Sequence, residues 1–137
     1  MKNLILLAAV ICLGILIIKL YTARSAPNAP LPAGNRYLTL TPEEAKARLD
    51  EGEDIVLLDV RTQEEYDAGH IPGAVCLPHD TITEDHPLPY DKEAEILVYC
   101  RSGRRSALAA EKLAGMGYEN VADFGGILDW PYGTTAD

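Results

Sequence analysis

Two short runs of consecutive apolar residues constrain this chain most. Ile55-Val56-Leu57-Leu58 ends at Asp59, and Glu95–Tyr99 holds Ile96-Leu97-Val98. Runs of this length, bounded by turn residues, read as strands buried on both faces. Helical patterns lie between and around them. Thr41-Pro42-Glu43-Glu44 is a capping box with proline at the first helical position and opens a helix to about Asp50. Thr62-Gln63-Glu64-Glu65 is a second capping box for a short helix stopped by Gly69. Ser106–Met116 reads as a helix ended by Gly117, and Gly126–Trp130 as a terminal helical turn. Tyr37–Leu40, Val75-Cys76-Leu77 and Val121-Ala122 bring the strands to five. Strands alternating with helices predict an α/β domain whose five-stranded sheet is mostly parallel and flanked by helices. Ligands in such sheets bind beyond the carboxyl ends of the strands, and Cys100 stands at one of them.

Ahead of this pattern, Leu4 to Ile18 is an unbroken apolar run, followed by Lys19, Leu20 and Tyr21. It lies between the h-region of a secretory signal and a full membrane span. Lys19 can snorkel and Tyr21 suits an interface, so residues 1–21 are expected to form an uncleaved transmembrane helix; a signal cleaved near Ala23-Arg24-Ser25 is the alternative. The flanking charges do not set the orientation. Residues 22–36, rich in Pro and Ala, read as an extended linker, and residues 37–137 as the single domain.

Charge narrows the function. From Tyr37 onward the chain holds 8 basic and 21 acidic residues, a formal charge of −13. Such a domain is repelled by phosphate backbones, which argues against nucleic-acid binding. The three cysteines, Cys12, Cys76 and Cys100, form no CxxC pair, and His70, His79 and His86 have no metal-ligand spacing. No metal site is expected.

Against that acidity, residues 99–107 read YCRSGRRSA. A free thiol with a pKa of about 8.5 is only slightly ionised at neutral pH, and the thiolate is the nucleophile. Here the loop runs into a helix N-terminus, which favours an anion. Arg101, Arg104 and Arg105 add positive charge, and Gly103 lets successive N–H groups converge into an anion-binding nest. Cys100 is thus the candidate nucleophile. Arg101, Ser102, Gly103, Arg104, Arg105 and Ser106 are the candidate substrate-binding residues, and Asp59, at a strand end, a candidate border of the site.

Three segments, LLDVRTQEEYDAGHIPGAVCLP (57–78), ILVYCRSGRRSALAAEKLAGMGY (96–118) and FGGILDWPYG (124–133), together resemble the single-domain rhodaneses, a sulfurtransferase family. The resemblance implies the rhodanese α/β fold, a persulfide on Cys100, and a sulfur-cradling loop from Arg101 to Arg105 with Ser106 starting the helix. It implies transfer of sulfane sulfur from thiosulfate or a persulfide donor to cyanide, a cellular thiol or a protein acceptor, with no cofactor. A persulfide carrier and a non-catalytic, membrane-tethered binding module are the alternatives. Related tyrosine phosphatases use a loop one residue longer, with arginine where Ser106 stands here, so phosphate esters fit poorly. Arg61 is expected to pair with Glu65, His70 to support its turn, Cys76 to lie in the core and Trp130 to pack near the C-terminus. Small rhodaneses with a similar N-terminal segment include exported ones. A single-pass protein with its domain on the periplasmic side of the membrane, held through residues 4–21, is therefore expected.

Overall fold

A computed structural model of the chain describes residues 36–52 and 54–137. The element order is β1 (Leu38–Thr39), α1 (Pro42–Glu51), β2 (Ile55–Asp59), α2 (Gln63–Ala68), β3 (Val75–Cys76), a 3-10 turn (His79–Thr81), β4 (Glu95–Cys100), α3 (Arg104–Gly115), β5 (Asn120–Gly126) and a second 3-10 turn (Ile127–Asp129). The strands form one sheet in the order β1-β5-β4-β2-β3, and every adjacent pair is parallel. The two apolar runs lie side by side at its centre, with Leu57 opposite Leu97 and Leu97 opposite Ala122.

Both faces of that centre are covered, which is why its strands do not alternate in polarity. On one face Leu58, Val60, Ile96, Val98 and Cys100 pack with Ala109, Ala110 and Leu113 of α3. On the other, Leu57, Leu97, Tyr99, Ala122 and Phe124 pack with Ala45 of α1 and with Trp130. Burying a side chain such as Leu113 contributes roughly 1.5–3 kcal/mol. The small Ala109 and Ala110 let α3 lie close to the sheet.

Both capping boxes form. Thr41 Oγ1 accepts from Glu44 N and the Glu44 carboxylate accepts from Thr41 N; Thr62 and Glu65 repeat the arrangement. Two boundaries differ from expectation. Helix α3 begins at Arg104 rather than Ser106, because Gly103 takes a left-handed conformation (φ 105°) and acts as its N-cap. Strand β5 runs on to Gly126, four residues beyond Ala122. Its Asp123 is buried, with a carboxylate oxygen accepting from Gly125 N at 2.9 Å, so an acidic residue sits comfortably inside a strand.

No helix among the described residues is long and apolar enough to cross a membrane. The apolar run at residues 4–18, and with it the expected transmembrane helix and nearly all of the linker, lies outside the described residues.

Candidate active site

Cys100 is the last residue of β4, the central strand by position between β5 and β2. The register between β4 and β5 shifts between Val98 and Cys100, so that Cys100 pairs with Gly126. The chain then turns through Arg101–Gly103 and enters α3. Gly103 N donates to Cys100 Sγ at 3.0 Å, and Ala107 N donates to Gly103 O at 3.2 Å, locking the turn onto the helix. The positive φ of Gly103 makes this curl possible at little cost.

The floor of the loop is the end of β5, a part of the site that the sequence reading did not single out. A Cβ on Gly126 would lie 2.2 Å from Arg101 O and 2.6 Å from Ser102 Cα. Only glycine permits so close an approach. Arg101 O also accepts from Leu128 N at 3.3 Å, so the second 3-10 turn braces the loop from the side. The FGG triplet was the available signal, but a double glycine by itself reads as a turn.

The loop's electrostatics favour a thiolate. Burial works to raise the Cys100 pKa, with the residue only 1% exposed. Hydrogen bonds outweigh it: the Ser106 hydroxyl and the N–H groups of Ser106, Gly103 and Ser102 hold the thiol below its ordinary value. The single hydroxyl proton of Ser106 also has carbonyl acceptors, Gly103 O at 3.0 Å and Gly125 O at 3.2 Å. Turned from these toward sulfur, it serves the ionised form. Cys76 is the opposite case, since burial pushes its thiol up.

The three arginines are not alike. Arg101 and Arg104 are exposed and have no carboxylate partner among the described residues. Arg105 is half-buried and bidentate on Glu65, with Nη1 and Nη2 at 2.7 and 2.8 Å from the two carboxylate oxygens. That hydrogen-bonded guanidinium is the main reason the Glu65 pKa falls to about 2. The expected Arg61–Glu65 pair therefore does not form. Arg61 lies in the bend before the N-cap of α2, and its acid partner is Asp59, two residues back, whose carboxylate also accepts from Arg61 N at 3.0 Å. Arg61 Nε and Nη2 donate to Asp59 at 2.9 and 2.6 Å, and Nη2 also reaches Gly69 O.

Asp59 is wholly buried in this network, where it also accepts from the Tyr99 hydroxyl at 2.7 Å; Ile71 N donates back to that hydroxyl at 3.1 Å. All its bonds are structural. It supports the strand end next to Cys100 from the opposite face of the sheet. His70 is buried, with its ring stacked on Tyr66 and Nδ1 on Tyr66 O at 2.9 Å, and its backbone bridges Thr135. Trp130 packs against Phe124 and Tyr132. Cys76 is half-buried rather than core. In register with Asp59 and thus with Tyr99, it lies on the other face of the sheet from Cys100 and two strands away, roughly 10 Å. That separation exceeds the reach of a disulfide.

Comparison with known proteins places this geometry. The family model for the rhodanese-like domain matches residues 41–131. A sulfurtransferase of Allochromatium vinosum is 39% identical over 90 residues, covering 64% of this chain and 82% of that protein. An adenylyltransferase and sulfurtransferase of Candida albicans is 43% identical over 81 residues, which are 54% of this chain and 18% of the relative. Several curated relatives are matched over about half of their length or less. Among solved structures, a rhodanese-like domain protein of Staphylococcus aureus superposes with a TM-score of 0.64 at 31% identity, covering 73% of this chain and 98% of that one.

Proposed function

Since the chain belongs to the rhodanese-like domain family, we propose that it is a sulfurtransferase in which Cys100 carries the sulfur. The observation that supports this most is the bond from Gly103 N to Cys100 Sγ at 3.0 Å, within a set of amides and a hydroxyl that lower the thiol pKa. The reaction is a double displacement. The Cys100 thiolate attacks the outer sulfur of thiosulfate or another persulfide donor, and sulfite or a thiolate leaves with the electron pair of the broken S–S bond. The loop amides then stabilise the charge on the Cys100 persulfide as they did the thiolate. An acceptor, cyanide in an assay or a thiol, attacks the outer sulfur, and the Cys100 thiolate is the leaving group. Arg101 and Arg104 attract the anionic donor. Arg105, held by Glu65, fixes the loop's position.

The test is direct. Incubation of the full chain with thiosulfate should add the mass of one sulfur atom to the peptide containing Cys100. Cys100→Ser should abolish thiosulfate:cyanide transfer, and Cys76→Ser should retain most of it. Turnover by the serine variant would overturn the assignment.

For location, the apolar run at residues 4–18 with Lys19 and Tyr21 supports a membrane anchor, and the resemblance to small rhodaneses with such a segment, exported ones among them, supports a domain facing the periplasm. Protease added to spheroplasts should digest the domain of a membrane-bound, full-length protein. A protected domain would place it on the cytoplasmic side, and a shortened soluble one would mean a cleaved signal.

A further inference from the structure

The surroundings of the loop carry information that the sulfur chemistry does not use. Five arginines lie in the domain: Arg48, Arg61 and Arg105 are in ion pairs, while Arg101 and Arg104 are in none among the described residues. With 21 carboxylates in the same segment, pairing them would have been easy. Beside each free arginine stands an exposed leucine. Leu128 is 64% exposed and its N–H bonds Arg101 O, which sets it against the start of the loop. Leu108 is 48% exposed and lies four residues after Arg104 in α3, on the same side of the helix. A small anion such as thiosulfate can use the arginines but gains nothing from the leucines.

Resting on the sulfurtransferase reading, we propose that this collar docks a protein acceptor: an extended, acidic segment that presents its thiol to Cys100 with apolar side chains beside it. Charge complementarity selects that occupant. Carboxylates of the segment meet Arg101 and Arg104, and its apolar side chains cover Leu128 and Leu108. An extended segment is favoured over a folded face because Cys100 is buried and a narrow approach is required. Exposed Asp129 follows Leu128 directly and exposed Glu111 follows Leu108 by three residues in α3, so the segment's carboxylates are matched to the arginines and not to these positions. The domain's overall acidity does not prevent contact. At cellular ionic strength, fields are screened beyond about 8 Å, so the nearest charges dominate. In the transfer itself the acceptor thiolate forms a bond to the outer sulfur, the bond from that sulfur to Sγ breaks, and its electron pair stays on Cys100.

The experiment uses the full chain, charged with thiosulfate. It compares three acceptors: cyanide, a short cysteine peptide carrying glutamates and a leucine, and its glutamine analogue. The acidic peptide should be the better peptide substrate. In the variant combining Leu128→Ser with Leu108→Gln, its kcat/KM should fall about tenfold as apolar contact is lost, while cyanide turnover stays within about twofold. Arg104→Gln should remove the preference for glutamate over glutamine. Equal use of both peptides, unaffected by the leucine changes, would overturn the docking proposal while leaving the sulfurtransferase reading intact. No transfer even to cyanide would overturn both. Concentration-dependent dimerisation abolished by Leu128→Ser, or binding of the collar to anionic vesicles, would assign the leucines elsewhere and also refute it.

Discussion

Replacing Glu65 with glutamine isolates the pair that ties α2 to the active loop. Two charge-assisted bonds of 2.7 and 2.8 Å join Glu65 to Arg105, and the Glu65 pKa is lowered from 4.5 to about 2. A shift of that size corresponds to at most about 3.4 kcal/mol between the folded and unfolded chain. Both side chains are about a quarter exposed, 26% and 28%, so solvent and salt reduce the contribution to about 1–2 kcal/mol. The sign follows from a depressed folded pKa. The stabilisation is fully present above about pH 4.5 and is lost as the pH falls toward 2. Urea unfolding of the parent and Glu65→Gln at pH 7 and pH 3 should therefore show a gap that shrinks to less than half at the lower pH. Transfer activity at neutral pH should also fall, because Arg105 no longer holds the loop against α2. A gap that is absent at pH 7, or that does not narrow on acidification, would refute the clamp.

Other expectations follow from the same geometry. Gly126→Ala places a methyl against the Arg101 carbonyl at 2.2 Å, with ordinary backbone angles at the glycine, so the clash alone should cost about 1–3 kcal/mol in urea unfolding and depress transfer at least tenfold. Tyr99→Phe leaves Ile71 N unpartnered and Asp59 with one donor fewer, which should lower stability by about 1–3 kcal/mol in thermal or urea unfolding. Iodoacetamide should modify Cys100 with a pH midpoint below that of Cys76, and added salt should weaken thiosulfate use far more than it moves the Cys100 midpoint. Aryl phosphates should be hydrolysed poorly, since Arg105 stands five residues after Cys100 and both its terminal nitrogens are engaged by Glu65.

What the sequence discloses here is largely what local physics determines. The unbroken apolar runs, the capping boxes at Thr41 and Thr62, and a cysteine between a strand and a basic, glycine-containing turn each act over a few residues, and each is found in place. The misreading of Arg61 shows the limit. A spacing of four suggested Glu65, but that spacing brings side chains together only inside a helix, and Arg61 precedes one. The true partners, Asp59 for Arg61 and Arg105 for Glu65, depend on the bend that follows β2 in one case and on a forty-residue separation in the other. The role of Gly126 was hidden for the same reason: its demand for glycine comes from the backbone of Arg101 and Ser102, which only the folded sheet brings near.

The arrangement separates two jobs that the sequence seemed to give to all three arginines together. Ionisation of Cys100 is assigned to groups fixed by the backbone: the N–H groups of Ser102, Gly103 and Ser106, together with one buried hydroxyl. Such short-range donors act inside the fold, where salt hardly reaches, and they need no free cation. Arg105 can then act, through Glu65, as a mechanical tie. Arg101 and Arg104, with no carboxylate partner among the described residues of a strongly acidic domain, remain for whatever approaches from outside. On the sulfurtransferase reading we propose, activation belongs to the loop's inner surface and selection to its outer one. The two can be altered independently, because the inner surface is backbone amides with the Ser106 hydroxyl and the outer one is the arginine side chains.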